Sequence, residues 1–281
     1  MSKHRMSKRK RIIAWAAAGV TVAAGGALTA NAVSTTTTAA SKLPAPTLYS
    51  GRAFDTCTAP SLSAMKAWKT SSFYGAAAVY IGGKNRGCAQ PQLTPSWVKS
   101  VSASGWKLIP LYVGAQPPCQ TGRSPEKIVA STAASQGAAN GADAVAKASA
   151  LGMKPGSPLY LDMEPYDINN SGCNSAVLTY VRAWNRAVHA KGYWAGYYGF
   201  KSTSAHAVAT AQDRTDMPDI LWYAHWNDVR TTTRDWAWSP TLWTGHRRAH
   251  QYSANRKETI GGVTLTVDRN DWDAPVAIIA K

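Results

Sequence analysis

Two carboxylates lie one residue apart at the end of an apolar segment, Pro158 to Tyr166. In a strand, Asp162 and Glu164 would point to the same face, because side chains alternate with period 2. Their Cα atoms would lie roughly 6–7 Å apart, and repulsion would raise the pKa of one carboxyl while the other stays ionised. Such a pair suits glycoside hydrolysis. The alternative is an acidic strand end that caps a loop or pairs with arginine.

The segments around this pair alternate between predicted strands and helices, which favours βαβ units and a parallel sheet. Besides the Asp-x-Glu segment, strands are predicted over residues 51–55, 76–81, 107–113, 193–200, 218–224, 248–253 and 263–270. Helices are predicted over residues 60–70, 94–103, 134–151 and 174–190. Eight strands in about 230 residues predict an α/β fold of the (β/α)8 TIM-barrel type. The second half lacks full helices, especially over 224–248, so its last strands could be joined by loops or even run antiparallel.

A barrel gives the acids a common location, because barrel active sites form at the C-terminal ends of the strands. Asp55 ends the first predicted strand and Asp268 ends the last. The first and last strands are neighbours in a closed barrel. We therefore expect Asp55 and Asp268 side by side, facing Asp162 and Glu164 across the mouth.

The N-terminal 32 residues have the three parts of a secretory signal peptide. Six basic residues precede an apolar stretch from Ile12 to Leu28, and Ala30-Asn31-Ala32 matches a small-residue cleavage site. Left uncleaved, this segment would be a membrane anchor, and no later segment is apolar enough to span a bilayer. Residues 33–48 are rich in Ser, Thr, Ala and Pro and predict a disordered leader. Residues 49–281 remain as one domain.

The chain is strongly basic, and removal of the signal peptide lowers its formal charge from +16 to +10. This excess favours an anionic polysaccharide partner such as a bacterial cell-wall glycan. Nucleic acid is not expected, because no dense run of Lys and Arg follows residue 11 and the protein is predicted to be exported. We expect a secreted or wall-associated monomer that does not contact the membrane after cleavage.

Four cysteines follow the first four predicted strands, one after each: Cys57, Cys88, Cys119 and Cys173. An even number in an exported chain indicates disulfides, and the spacings are unlike the close pairs of a zinc site. Because consecutive strands place their loops side by side, we predict the bonds Cys57–Cys88 and Cys119–Cys173. Both would brace loops at the mouth. No metal or other cofactor is expected.

Aromatic residues are candidates for sugar binding, because pyranose rings carry both apolar C–H faces and hydroxyls. Those at or near the predicted strand ends are Tyr112, Tyr166, Tyr198, Trp222, Trp226 and Tyr252, and Gln251 is assigned to the same set. A place in the core or scaffold is the alternative for each of them. Trp68, Trp97 and Trp184 have helical spacing and are assigned to the core.

Six short motifs occur in order along the chain: Phe54-Asp55, Leu161-Asp162-Met163-Glu164, Tyr197-Tyr198-Gly199, Leu221-Trp222-Tyr223-Ala224-His225, His250-Gln251-Tyr252-Ser253 and Val267-Asp268-Arg269-Asn270. Together they resemble glycoside hydrolase family 25, the lysozymes that cleave peptidoglycan between N-acetylmuramic acid and N-acetylglucosamine. The chain is more similar still to the glycoside-hydrolase-like domain of unknown function in exported bacterial proteins. The resemblance covers residues 50 to 275 approximately.

The resemblance implies roles for the acids and an incomplete barrel. Glu164 would be the general acid, and Asp162 would position or stabilise the reacting sugar. Asp55 and Asp268 would be the other active-site acids. Arg269 departs from the family, which has an apolar residue there, and is expected to alter the pocket. Cys57 and the Cys119 loop would narrow the mouth.

Three functions are consistent with these features. The first is a glycosidase in which Glu164 protonates the glycosidic oxygen while Asp162, or the N-acetyl group of the substrate, stabilises the oxocarbenium-like centre. The second is a barrel that binds wall glycan without turnover. The third is a disulfide-braced scaffold whose partner binds the outer face, so that substitution of the acids would change nothing.

Overall fold

A closed barrel of eight strands forms the centre of the molecule in the computed structural model, which describes residues 43–280. The expected signal peptide and most of the leader lie outside these residues. The strands follow one another around the barrel in chain order. They are β1 (Thr47–Asp55), β2 (Tyr74–Gly82), β3 (Lys107–Val113), β4 (Pro158–Met163), β5 (Trp194–Phe200), β6 (Ile220–Ala224), β7 (Arg248–Ile260) and β8 (Val263–Val276).

Helices cover the first five strands. The spacing of apolar residues predicted the first four of these helices. They are α1 (Leu62–Ser71), α2 (Pro95–Ala103), α3 (Ala133–Ala150), α4 (Ser171–His189) and α5 (Ser204–Thr210). Ser61, Thr94 and Asn170 begin three of them, each accepting a hydrogen bond from a backbone N–H of the first turn. The predicted TIM-barrel-like α/β fold with incomplete helices in its second half is confirmed. No helix of residues 43–280 is both long and apolar enough to cross a bilayer.

The last strand differs from the others in direction. β1 to β7 run parallel, whereas β8 is antiparallel to both β7 and β1. A two-residue turn, Gly261-Gly262, joins β7 to β8, and a connection this short requires antiparallel strands. The prediction that Asp268 ends the last strand is therefore wrong, because β8 continues to Val276. The register nevertheless pairs Asp55 with Asp268.

The first strand begins four residues earlier than predicted, within the expected leader. Its pairing with β8 continues without interruption from Asp55 back to Thr47, which satisfies backbone groups that would otherwise be exposed. Just before the strand, the carbonyl oxygen of Pro44 accepts a 2.9 Å hydrogen bond from the indole of Trp194. Residues 43–48 thus belong to the folded domain.

Aromatic side chains fill the inside of the barrel. Tyr160, Trp222 and Trp272 contact one another edge to face, with ring centroids 5.1–6.0 Å apart. Gly196 makes room for them, since a Cβ there would lie 2.4 Å from the Tyr160 ring. These three rings close the lumen of the barrel below the mouth, and the polar side chains of the mouth lie above them.

The connection between β6 and β7 replaces a covering helix with a loop, residues 225–247. Trp236, Trp238 and Trp243 of this loop pack against the barrel, and the Arg248 guanidinium lies 3.9 Å from the centre of the Trp236 ring. Aromatic rings in edge-to-face contact therefore shield this side of the barrel.

Candidate active site

The carboxyl groups of Asp162 and Glu164 lie in one cavity at the end of β4. Gln116, buried in the β3–α3 connection, fixes the backbone between them. Its amide nitrogen donates to the Asp162 carbonyl at 3.0 Å, and its amide oxygen accepts from the Glu164 N–H at 2.9 Å. Because the Gln116 side chain has 1% exposure, it holds this strand end without competition from water. Gln116 was not predicted, since nothing in its local sequence marks it.

The two carboxyls share a hydrogen bond in which Asp162 donates to Glu164. Burial, followed by repulsion from Glu164, raises the pKa of Asp162 well above its ordinary value. Burial also raises the pKa of Glu164, and the hydrogen bond from Asp162 opposes that rise. The sequence predicted one raised and one ordinary carboxyl, whereas both are raised because the strand end lies deeper than expected. Asp162 holds the proton, and Glu164 is the more exposed of the two.

A second carboxyl pair lies across the mouth, where β1 meets β8. Asp55 has 2% exposure, and three side-chain hydrogen bonds surround it. Asn270 donates at 2.7 Å, and the Gln251 amide donates to both carboxyl oxygens at 3.1 and 3.2 Å. Asp268 accepts a 2.6 Å bond from the Asn255 N–H. Both acids of this pair are therefore held in fixed positions.

The Asp55–Asp268 pair also shares a hydrogen bond, with Asp55 as the donor. Burial, followed by repulsion from Asp268, raises the pKa of Asp55 to about 8. Burial raises the pKa of Asp268 as well, opposed by its bonds from Asn255 and Asp55. Each pair thus combines a deep protonated aspartic acid with a more exposed partner, and the four acids converge on one mouth.

Tyr80, at the end of β2, stands between the two pairs. It lines a cavity of about 310 Å³ with Asp162 and Glu164, and one of about 350 Å³ with Asp55 and Asp268. Burial, with repulsion from all four carboxylates, raises the pKa of its phenol well above the ordinary value. Sequence analysis missed Tyr80, although period-2 alternation places it on the inner face with Ala76 and Ala78.

Three predicted sugar-binding residues lie in or beside this mouth: Gln251, and Tyr198 and Trp226, which both bond to it. The Gln251 amide oxygen accepts hydrogen bonds from the Tyr198 hydroxyl at 2.9 Å and from the Trp226 indole at 2.8 Å. Trp226 is 53% exposed at the rim, where a ligand can reach it. Trp222 is fully buried beneath Tyr198 and donates to Asn270 at 2.7 Å. Trp222 therefore supports the site from below and does not face solvent.

Three other predicted sugar-binding residues do not face the acids. Tyr112 points outward from β3 and donates to Asp143 of α3 at 2.8 Å. Tyr166, in the loop after β4, is buried and donates to Asn174 of α4 at 2.7 Å. Tyr252 follows the inward Gln251 in β7 and so points outward. Proximity to a strand end suggested all three, but strand alternation and loop packing decided their direction.

Arg269 is a further correction. It follows the inward Asp268 in β8 and therefore faces outward, where it donates to Glu258 at 2.6 Å. It lines an outer cavity and neither of those that hold the acids. Its departure from the family motif thus leaves the acid site unaltered. Asn270, one position further on, is the residue of this motif that contacts Asp55.

Both disulfides join the cysteines that the sequence paired, Cys57 with Cys88 and Cys119 with Cys173. Cys57 borders both acid cavities, and Cys88 borders the one that contains Glu164. The Cys119–Cys173 bond ties the β3–α3 loop to α4, and residues of that loop, from Gln120 to Ser124, line the same cavity. These cysteines and loops therefore border the mouth, which the sequence predicts they narrow.

Among residues 43–280, one cluster of side chains has the composition of a metal site: His225, Asp235 and His250, with possible ligand atoms within 4.8 Å of one another. Other contacts already use these atoms. Asp235 forms a 2.9 Å ion pair with Lys201, and both ring nitrogens of His250 contact backbone carbonyls at 2.8 and 2.9 Å. The cluster is therefore an ion-pair network that anchors the β6–β7 loop.

A family model described as the Rv2525c-like, glycoside hydrolase-like domain matches residues 66–272. The chain belongs to this family. The matched segment contains three of the four acids, strands β2 to β7 and most of β8, and it agrees with the resemblance drawn from the six motifs. No curated protein sequence matches the chain.

Solved structures share the fold of this Rv2525c-like domain at low identity. The Mycobacterium tuberculosis Tat-secreted protein Rv2525c, in complex with L-tartrate, is 17% identical with a TM-score of 0.54, covering 80% of this chain and 96% of that one. The autolysin LytC of Streptococcus pneumoniae is 14% identical with a TM-score of 0.52, covering 80% and 47%. A muramidase from Acremonium alcalophilum is 15% identical with a TM-score of 0.50, covering 79% and 93%.

Proposed function

We propose that this Rv2525c-like domain is an exported glycoside hydrolase that cleaves a bacterial wall glycan of the peptidoglycan type. The observation that carries the proposal is the convergence of two hydrogen-bonded carboxyl pairs, Asp162–Glu164 and Asp55–Asp268, on one mouth. Paired carboxyls with raised pKa values supply a proton near neutral pH, which glycoside hydrolysis requires.

Glu164 acts as the general acid, because it is the more exposed member of its pair. The proton that Asp162 donates in its hydrogen bond to Glu164 passes through the Glu164 carboxyl to the glycosidic oxygen, as the bond from that oxygen to the anomeric carbon breaks. Asp162 is left as a carboxylate. The oxocarbenium-like carbon that forms is stabilised by the Asp162 carboxylate or by the N-acetyl group of the substrate. Water then adds to that carbon and releases a proton to the site.

Wall glycan is favoured as the substrate by four observations. The fold is that of a muramidase and of an autolysin, although the identities are too low to transfer activity. The two disulfides suit an oxidising compartment outside the cell. The excess of basic over acidic residues favours an anionic polymer. Trp226 at the rim offers a ring on which a sugar can stack.

A wall-glycan-binding barrel without turnover is the second candidate, and the burial of the acids favours it. Asp162 has 4% and Asp55 has 2% exposure, and Tyr80 separates the two pairs into small cavities. A glycan held on the rim by Trp226 would then contact Glu164 without reaching a second carboxylate. The two candidates predict the same binding and differ only in bond cleavage.

Reducing-end release from purified peptidoglycan tests the proposal. The wild-type protein is compared with Glu164→Gln, which keeps the shape of the side chain and removes its acidity. We expect release by the wild type and a loss of about a hundredfold or more in the variant. Co-sedimentation of both proteins with the wall, without release by either, would support the binding barrel. Equal release by both proteins would contradict the role of Glu164.

A further inference from the structure

A third cavity, of about 440 Å³, lies on the outer side of the wall formed by β7, β8, β1 and the start of β2. The end of α1 borders it at Ser71. The lining includes three arginines and three aromatic residues, which we call the arginine pocket: Arg52, Arg230, Arg269, Phe73, Tyr74 and Tyr252. Two acids, Asp228 and Glu258, also line it. None of these six residues lines the cavities of the acid site.

The pocket has a cation without a carboxylate partner. Arg269 is paired with Glu258 at 2.6 Å, and Arg230 lies 3.4 Å from Asp271. Arg52 forms no ion pair with any residue of the described chain. All three guanidiniums act on the phenol of Tyr252, lowering its pKa against the larger effect of burial. The three guanidiniums of the lining exceed its two carboxylates, Asp228 and Glu258, so the pocket keeps a net positive charge.

The rim of the pocket carries an aromatic ring that the fold does not cover. Phe73 is 83% exposed, the most exposed large apolar side chain of residues 43–280. The Arg52 guanidinium lies 5.1 Å from the centre of its ring, which places a ring face and a cation side by side. A sugar ring presents C–H groups to an aromatic face, and a carboxylate accepts two parallel bonds from a guanidinium.

We propose that the arginine pocket binds a carboxylate-bearing sugar unit of an acidic glycan, at a site separate from the two carboxyl pairs. Phe73 stacks on the sugar ring, Arg52 donates hydrogen bonds to the carboxylate, and Arg230 adds a second positive charge. This site would hold an acidic polymer on the outer wall, whether or not the acid site cleaves a glycan.

Calorimetric titration with oligogalacturonate, a hexuronate polymer, tests the proposal. Fully methyl-esterified oligogalacturonate keeps the sugar rings and removes the charge. We expect binding of the acidic form, and binding of the ester at least about tenfold weaker, because a charge-assisted hydrogen bond is lost. Equal binding of the two forms, or no binding of either, would overturn the proposal. Binding of poly(glycerol phosphate) alone would indicate a phosphate site and overturn it as well.

Variants locate the binding. Arg52→Gln should weaken binding of the acidic form about tenfold, and Phe73→Ala should weaken it about fivefold through loss of the ring contact. Phe73 is exposed, so its truncation leaves the fold intact even if Arg52→Gln does not. Arg186→Gln on α4 is the matched control and should bind as the wild type. Unchanged binding by both Arg52→Gln and Phe73→Ala would exclude this pocket, as would equal weakening by Arg186→Gln.

Discussion

Asp55 and Asp268 lie directly opposite each other on the antiparallel strands β1 and β8, and burial raises the pKa of both carboxyls. The reversed direction of β8 brings them together, since it is the middle of that strand, and not its end, that reaches the mouth. Asn270 and Gln251 complete the site by donating hydrogen bonds to Asp55. An acid pair thus depends on a strand pairing that a regular parallel barrel does not have.

The raised pKa of Asp55 predicts that the free energy of unfolding falls as pH rises. The pKa of Asp55 is raised to about 8 in the folded protein, against about 3.9 for an unfolded aspartate. Between these values the folded state binds the extra proton, so its free energy of unfolding decreases by up to about 1.4 kcal/mol per pH unit. The raised pKa of Asp162 acts in the same direction.

Asp55→Asn should reduce this dependence, because an amide imitates the protonated carboxyl. Chemical denaturation at about pH 5.5 and at about pH 7.5 measures it. We expect the wild type to be the less stable at the higher pH and the variant to change less between the two. Equal stability of the wild type at both pH values would contradict the raised pKa of Asp55.

Gln116 should act on catalysis by positioning, since it touches the backbone of Asp162 and Glu164 and no carboxyl group. Gln116→Ala frees the strand end, and misplacement of an acid by about 1 Å costs about a hundredfold in rate. We expect reducing-end release to fall by about tenfold to a hundredfold, in kcat more than in KM, with a shifted pH profile.

Gln136→Ala is the matched control for Gln116. Gln136 of α3 makes a similar pair of hydrogen bonds, to the backbone of Lys127 and Val129 in the β3–α3 connection. Both variants should lose about 1–3 kcal/mol of stability. Only Gln116→Ala should alter the pH profile. A similar profile for the two variants would mean that Gln116 is merely structural.

Tyr80 and Tyr112 form a natural comparison, since they end adjacent strands and point to opposite faces. Tyr80→Phe removes a hydroxyl between the two carboxyl pairs and should lower glycan release about tenfold. Tyr112→Phe breaks the bond to Asp143 and should lower stability by about 1 kcal/mol without changing release. Release assays and denaturation of both variants check this, and a reversed pattern would contradict the inner placement of Tyr80.

Loss of the Cys119–Cys173 bond should be costly. The bond closes a segment of 54 residues, and the chain-entropy relation gives about 4 kcal/mol for a loop of this length. Replacing both cysteines with serine should lower the denaturation midpoint accordingly and free the loop beside Glu164. A loss below about 1 kcal/mol would show that the loop is held by other contacts.

The sequence predicted the barrel because local patterns determine it. Apolar alternation and helical spacing gave the strands and four of the five helices of the described chain, and Asp-x-Glu placed two carboxyls on one face. The disulfide pairs followed from strand order, since consecutive parallel strands put their loops side by side. These features depend on residues that are close in sequence, so the sequence alone predicts them.

Tertiary structure decided which side chains share a space. Tyr252 and Arg269 follow inward residues of β7 and β8 and so face away from the acids, and outward packing removed Tyr112 and Tyr166. Long-range contacts assembled Gln116, Gln251 and Asn270 around the carboxyls, and Gln116 among them has no local signature. The depth of burial that raises the pKa of Asp55 also depends on all the strands together. Periodicity fixes a side chain's face, but only the closed barrel determines what that face meets.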